Sequence, residues 1–283
     1  MNRYREQGVV FNCGEDRLVG IATIPDMTAE VGVLILVGGP QYRVGSHRQF
    51  TLLARSLGEA GIASFRFDFS GMGDSEGQQC KFDETAEDVF AASDAFMEAV
   101  PGVSRLVLWG LCDAASSAMM FAHRHPKVTG MILLNPWVHG GKYAPDVKLT
   151  HFYRPFLSRG YKWRQLLSRR IKIIPTLREI GRDAQALVEN RSFYSSLSSH
   201  QSFVQGMLEG LQRFQHGVMI VLSEDDLTAS EFSSLITHDP QWKEATSSPA
   251  VSINTVLEAD HTFSKTAWKE EVSQLTIKWV KGL

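Results

Sequence analysis

Apolar residues along the chain gather into short runs, and the segments between those runs carry helical spacing. GVVFNC and RLVGIATIP, near the start, read as two strands that form an opening antiparallel pair. VGVLILVGG over 31–39 is a continuous apolar run, the signature of a strand buried on both faces. HRQFTLLARSLGEAG over 47–61 has an amphipathic helical pattern and ends in Gly61, a normal helix stop. Strand IASFRFDF (62–69), a helix over 82–100, strand RLVLWG (105–110), a helix from Cys112 and strand VTGMILLNPWV (128–138) follow in order. The rhythm returns later with strand GVMIVLS (217–223), a helix near TASEFSSLI, strand VSINTVLEA (251–259) and a last helix to the end. Such alternation predicts an α/β fold built on a mostly parallel sheet with helices on both faces.

Between about 139 and 215 the strand signal vanishes and the pattern becomes helices joined by polar connections. The expected organisation is an α/β core made of 1–138 and 216–283, with 139–215 inserted as a helical cap over the active site. There is no internal repeat and no low-complexity tract.

The segment LVLWGLCDAASSAMMFA, 106–122, turns from strand-forming to helix-forming residues at Cys112. Gly110 and Ala114 flank it at two residues on either side. That is the pattern of a nucleophile elbow, G-x-nucleophile-x-G, whose tight strand–turn–helix geometry tolerates only small residues at those two places. The helix that begins there turns its positive end toward the sulfur and favours thiolate. The Asp113 N–H then points to where an oxyanion would form. A buried structural thiol is the plain alternative, because free cysteine is among the most buried residue types.

A nucleophile needs a base, and the base an orienting acid, in the chain order nucleophile, acid, base. His261 follows the strand 251–259, and Asp225 and Asp226 follow the strand 217–223. All three stand at C-terminal strand ends, where such sheets place functional groups. Asp226 is preferred because it lies three residues beyond Ser223, the small residue closing its strand. Asp225 is second, and one of the two can cap the next helix. His123 and His125 do not share a helical face and are discounted as a metal pair.

A second oxyanion donor is expected from the loop GGPQYRVGSHRQF after the strand 31–39. Pro40 has no N–H, which leaves Gly39 or Gln41. No Gly-Lys-Ser/Thr follows, so the loop is not a phosphate-binding P-loop. In SGMGDSEG, Glu76 stands where the third glycine of a dinucleotide fingerprint belongs, and the loop does not open a helix. NAD binding is therefore rejected, and neither a cofactor nor a metal is expected.

Charge and cysteines narrow the setting. A net charge of -2 gives no general pull toward nucleic acid. Three widely spaced cysteines fit neither a disulfide framework nor a zinc site. MNRYREQGVVFN lacks an apolar signal core, and the longest apolar runs are too short to cross a bilayer; a soluble protein of the reducing cytoplasm is expected. Within 139–215 the charge is uneven: from Lys142 to Arg182 there are eleven Lys and Arg against two acids. A solvated helical surface is the plain reading. The sharper one is a peripheral contact of the cap with anionic lipid.

The chain resembles the α/β-hydrolase superfamily across nearly its whole length. DFSGMGDSEG is similar to the D-x-x-G-x-G-x-S loop common there. GGP resembles the core of the HGGPG loop of proline iminopeptidase-like members, with Val37 in place of the His and Gln41 in place of the last Gly, which argues against prolyl peptidase activity. A cysteine in the elbow is similar to dienelactone hydrolases. VGGPQYRVGSHRQF, GMGDSEG, LWGLCDAAS, LLNPWV and DHTFS together resemble the type 1 hydrolases associated with bacterial exosortase A systems. That resemblance implies an α/β-hydrolase fold, a Cys112-His261-Asp226 triad and a place beside exopolysaccharide genes.

The expected chemistry is acyl transfer from an ester or thioester, on a small molecule or on a lipid- or glycan-linked acyl group, through a thioester on Cys112. An acyltransferase with the same residues, a non-catalytic binding protein on this scaffold and a redox-sensing thiol are the rivals.

Overall fold

The computed structural model describes residues 3–39, 41–138 and 198–283. Residues 139–197, with the basic run and its expected contact with anionic lipid, lie outside the described residues.

The chain opens with β1 (Tyr4–Cys13) and β2 (Asp16–Pro25), paired antiparallel. β3 (Val31–Leu36), α1 (Gln49–Glu59), β4 (Ser64–Phe67), α2 (Ala86–Ala99), β5 (Arg105–Leu111), α3 (Asp113–Phe121) and β6 (Val128–Leu134) follow. The last segment holds α4 (Ser198–Arg213), β7 (Gly217–Ser223), α5 (Leu227–His238), α6 (Pro240–Thr246), β8 (Val251–Val256) and α7 (Thr266–Val280). The strands form one sheet in the order β1-β2-β4-β3-β5-β6-β7-β8. β4, β3, β5, β6, β7 and β8 run parallel, and β2 joins β4 antiparallel.

Every residue of β3 is buried, as its unbroken apolar run requires. On β5, Trp109 is buried and packs edge-on to Phe50 of α1 at 5.8 Å between ring centroids, while its Nε1–H donates to Thr276 Oγ1 of α7 at 3.3 Å. α1 packs with α7, and α3 packs with α4. Met207, Leu208 and Leu211 of α4 are buried. The last helix of the expected insertion is thus embedded against the core.

Strand ends are where the sequence pattern and the structure part. The apolar runs 31–39, 128–138 and 251–259 end as strands at Leu36, Leu134 and Val256. Residues beyond those points, such as Val37, Val138 and Ala259, are buried but irregular. Buried apolar loop and strand look alike in a hydropathy pattern, and here the loops carry the site. α6 has no apolar run to announce it. Its start is set by Asp239, whose side chain accepts from the N–H groups of Gln241 and Trp242, followed by Pro240 in the first turn.

Candidate active site

The turn from β5 to α3 presents Cys112. Its φ of 61° and ψ of -125° lie outside the usual regions for a residue with a side chain, a conformation that costs on the order of 1–3 kcal/mol and persists only where the surroundings fix it. They do so from both sides. The Cys112 N–H donates to Leu134 O of β6 at 2.9 Å, and Cys112 O accepts from Ala115 N–H at 3.0 Å. A Cβ at Gly110 would stand 2.6 Å from the Ala114 carbonyl and 2.7 Å from the Ala115 nitrogen, which is why only glycine fits there. Ser116 of α3 ties the next strand end to the turn: its Oγ donates to Trp137 O at 2.8 Å.

His261 sits in the loop after β8, beside the Cys112 side chain, which acts on its charge. Its Nδ1 lies 2.9 Å from Asp226 Oδ2. Asp226 is buried at the start of α5, and the same Oδ2 accepts the Ala229 N–H at 3.0 Å. One carboxylate therefore caps a helix and holds the imidazole, while Asp225 is exposed to solvent. The hydrogen bond to Asp226 first, and then the neighbouring Cys112, push His261 up to about 10 against the opposing effect of burial.

The loop of His261 is pinned by groups that hydropathy reading passes over. Asn135, buried and with φ of 43°, stops β6. Its Nδ2 donates to Ser223 Oγ at 2.8 Å and to His261 O at 3.0 Å, and its Oδ1 accepts Ser223 N–H at 2.8 Å. Ser223 Oγ donates in turn to Asp260 O at 2.9 Å. Asp260 then accepts from both the N–H and the hydroxyl of Ser264. LLNPWV and DHTFS are thus the segments that lock His261 in position. The signal available was an Asn-Pro step at the end of an apolar run.

The loop after β3 is anchored in a similar way. Arg43 donates its N–H and its guanidinium to the buried Asp68, and pairs with Asp74. Asp68 and Asp74 belong to the DFSGMGDSEG loop, whose work among the described residues is to hold the 37–43 loop against the sheet.

Of the expected oxyanion donors, the Gln41 N–H donates to Gly39 O at 2.8 Å. The Gly39 N–H does face the elbow, but it donates to the Asp113 carboxylate, 2.8 Å to Oδ1 and 3.0 Å to Oδ2. Asp113 was expected to contribute its backbone alone. Its side chain folds back instead, to where the N–H groups of Ala114 and of Asp113 itself favour its charged form. Burial raises its pKa and these N–H donors oppose the rise.

Beside Asp113 lies a cavity of about 550 Å³ whose wall includes Val37, Phe69, Met72, Phe82 and Phe203. Phe203 of α4 stacks on Trp137 at 5.2 Å, and Phe82 meets both rings edge-on. The other thiols are unsuited to the same chemistry. Burial and Asp88 push Cys13 up to about 12, and Cys80, exposed at the cavity, is also raised, by burial first and then by nearby acids.

The family model described as serine aminopeptidase, S33 (Hydrolase_4) matches residues 32–228. No curated protein sequence matches the chain. Among solved structures it is similar to the esterase Pf2001 of Pyrococcus furiosus, at 14% identity over 99% of this chain and 92% of that one, with a TM-score of 0.62. It is similar to a dienelactone hydrolase of Anabaena variabilis, at 14% identity over 99% and 98%, TM-score 0.61. It is also similar to ferulic acid-bound Est1E of Butyrivibrio proteoclasticus, at 14% identity over 97% and 98%, TM-score 0.62. At such identities the shared feature is the α/β-hydrolase fold.

Proposed function

The chain belongs to the serine aminopeptidase S33 (Hydrolase_4) family of α/β hydrolases, and on that premise we propose that it cleaves an ester or thioester through a covalent thioester on Cys112. The observation that carries the reading is the His261–Asp226 pair, 2.9 Å apart, set beside a cysteine in a strained elbow. Cysteine stands where the family description leads one to expect serine.

The chemistry runs as follows. With His261 protonated, the Cys112 thiolate attacks the substrate carbonyl carbon, and the carbonyl electron pair moves onto oxygen. Backbone N–H groups of Asp113 and Gly39 are the donors we assign to that oxyanion, once the Asp113 side chain has left them. As the tetrahedral adduct collapses, His261 Nε2 gives its proton to the leaving alkoxide or thiolate. Water then attacks the thioester carbonyl and passes a proton to His261, releasing the carboxylic acid and restoring the thiolate–imidazolium pair. Asp226 keeps the ring in the tautomer that presents Nε2 to the reaction. The cavity beside Asp113, walled by Val37, Phe69 and Met72, suits an apolar acyl or leaving group.

Hydrolysis of p-nitrophenyl esters from acetate to long acyl chains tests this. Cys112→Ala should lower kcat/KM by about 10³-fold or more while the protein remains folded. Full activity in that variant would reject Cys112 as nucleophile. Loss of acid product in favour of an acyl alcohol or amide, on addition of an acceptor, would reassign the same site to acyl transfer.

We further propose a cytoplasmic role beside bacterial exopolysaccharide and exosortase A machinery, on a lipid- or glycan-linked acyl group. This rests on the motifs VGGPQYRVGSHRQF, LWGLCDAAS and DHTFS. Deleting the gene and measuring exopolysaccharide output tests it; unchanged output would reject it.

A further inference from the structure

The Gly39 N–H is directed at the elbow, yet no carbonyl oxygen could use it as it stands. Both oxygens of Asp113 accept from it, at 2.8 Å and 3.0 Å. The Ala114 and Asp113 N–H groups at the head of α3 contribute to the same carboxylate. Independent evidence of how closely it is seated comes from Gly38, where a Cβ would collide with Asp113 Oδ1 and with Leu111 O. Convergent backbone donors at a helix N-terminus form an anion site. Here the anion is supplied by the residue that immediately follows the nucleophile.

We propose that the Asp113 carboxylate is a built-in occupant of the oxyanion hole, excluding a substrate carbonyl until it turns into the adjoining cavity. The inference rests on Cys112 being the nucleophile, as read above. Space for the turn is present: Asp113, Ala114 and Ser117 all line the 550 Å³ cavity. Asp113 thereby becomes a specificity residue. An ester that offers nothing to the displaced carboxylate must compete with it for the N–H groups. A substrate placing a hydroxyl or amine donor in the cavity holds the carboxylate out and leaves the hole open to its own carbonyl.

Two reactions at the same sulfur separate this from a general change in thiol reactivity. Acylation by p-nitrophenyl acetate passes through an oxyanion; alkylation by iodoacetamide does not. Both rates are measured on the full chain by mass of the Cys112 peptide, for wild type, Asp113→Ala and Asp113→Asn. In Asp113→Ala the acylation rate divided by the alkylation rate should rise about tenfold or more, given that a single oxyanion donor is worth about 10²–10³ in rate. Asp113→Asn keeps the shape and one acceptor oxygen, so it should rise by a smaller factor, and it decides the matter if the alanine variant does not fold. A ratio that stays level or falls in the folded variants overturns the gating inference while leaving Cys112 as nucleophile. If neither reagent labels Cys112 in any of the three proteins, the nucleophile reading fails, and the gate with it.

Discussion

Replacing Asp226 with asparagine changes little in shape and removes the charge beneath His261. Asparagine caps helices as well as aspartate does, so the Ala229 N–H keeps an acceptor and α5 keeps its start. What is lost is the charged partner at 2.9 Å from Nδ1. A rise of His261 from its ordinary 6.5 to about 10 corresponds to about 5 kcal/mol of preference for the imidazolium. The side chain is 35% exposed, so solvent screening reduces this to about 2–3 kcal/mol in practice, and Cys112 supplies part of it. In wild type the alkaline limb of kcat/KM should therefore lie well above pH 6.5, toward pH 10, where the imidazolium loses its proton. In Asp226→Asn it should fall by about one to two pH units. The rate at pH 8 should fall by about 10²–10⁴, because the amide no longer selects the productive tautomer. Stability carries the same signature. A raised histidine pKa contributes stability that is fully present below pH 6.5 and is lost as the pH climbs through about 10. The difference in unfolding free energy between wild type and variant should then be about 2 kcal/mol at pH 6 and shrink toward pH 10. Ester hydrolysis from pH 5 to 11, corrected for spontaneous hydrolysis, with urea unfolding across the range, makes the comparison. An unmoved alkaline limb together with a pH-independent stability difference would refute the assignment of Asp226 as the partner of His261.

Two further outcomes follow from the packing around the site. Asn135→Ala removes three hydrogen bonds and leaves the buried Ser223 N–H without an acceptor. It should cost about 2–4 kcal/mol of stability and lower kcat more than it raises KM, because the His261 loop loses its tether; thermal melts and steady-state kinetics check both. Trp109→Ala empties a buried position between α1 and α7 and should cost about 3–5 kcal/mol. A urea midpoint lowered by less than the equivalent of 1 kcal/mol would show that the sheet does not depend on that contact.

How much of this was legible in the sequence depends on what each residue contributes. β3, β5, β6 and β7 were legible because their burial on both faces of the sheet shows as nearly continuous apolar runs. The elbow was legible because Gly110 and Ala114 bracket Cys112 at a spacing that only sterics explain. The strand ends were not, because Val37 and Val138 are as apolar as the strands they follow, yet they form loops. The use of Asp113 was hidden for another reason. A backbone N–H and a side-chain carboxylate on the same residue compete for one place, and sequence alone gives no preference between them. Arg43 with Asp68, and Asn135 with Ser223, join segments far apart in the chain, so each partner looks like an ordinary polar loop residue until the sheet brings them together.

The central claim is a covalent bond to one sulfur. The direct measurement is intact-protein mass during turnover of a p-nitrophenyl ester quenched in acid, followed by peptide mapping. The account predicts a mass increase of one acyl group on the Cys112 peptide, absent from Cys112→Ala, with Cys13 and Cys80 unmodified. Continued turnover in Cys112→Ala, or an adduct on any other residue with Cys112 left free, would contradict it.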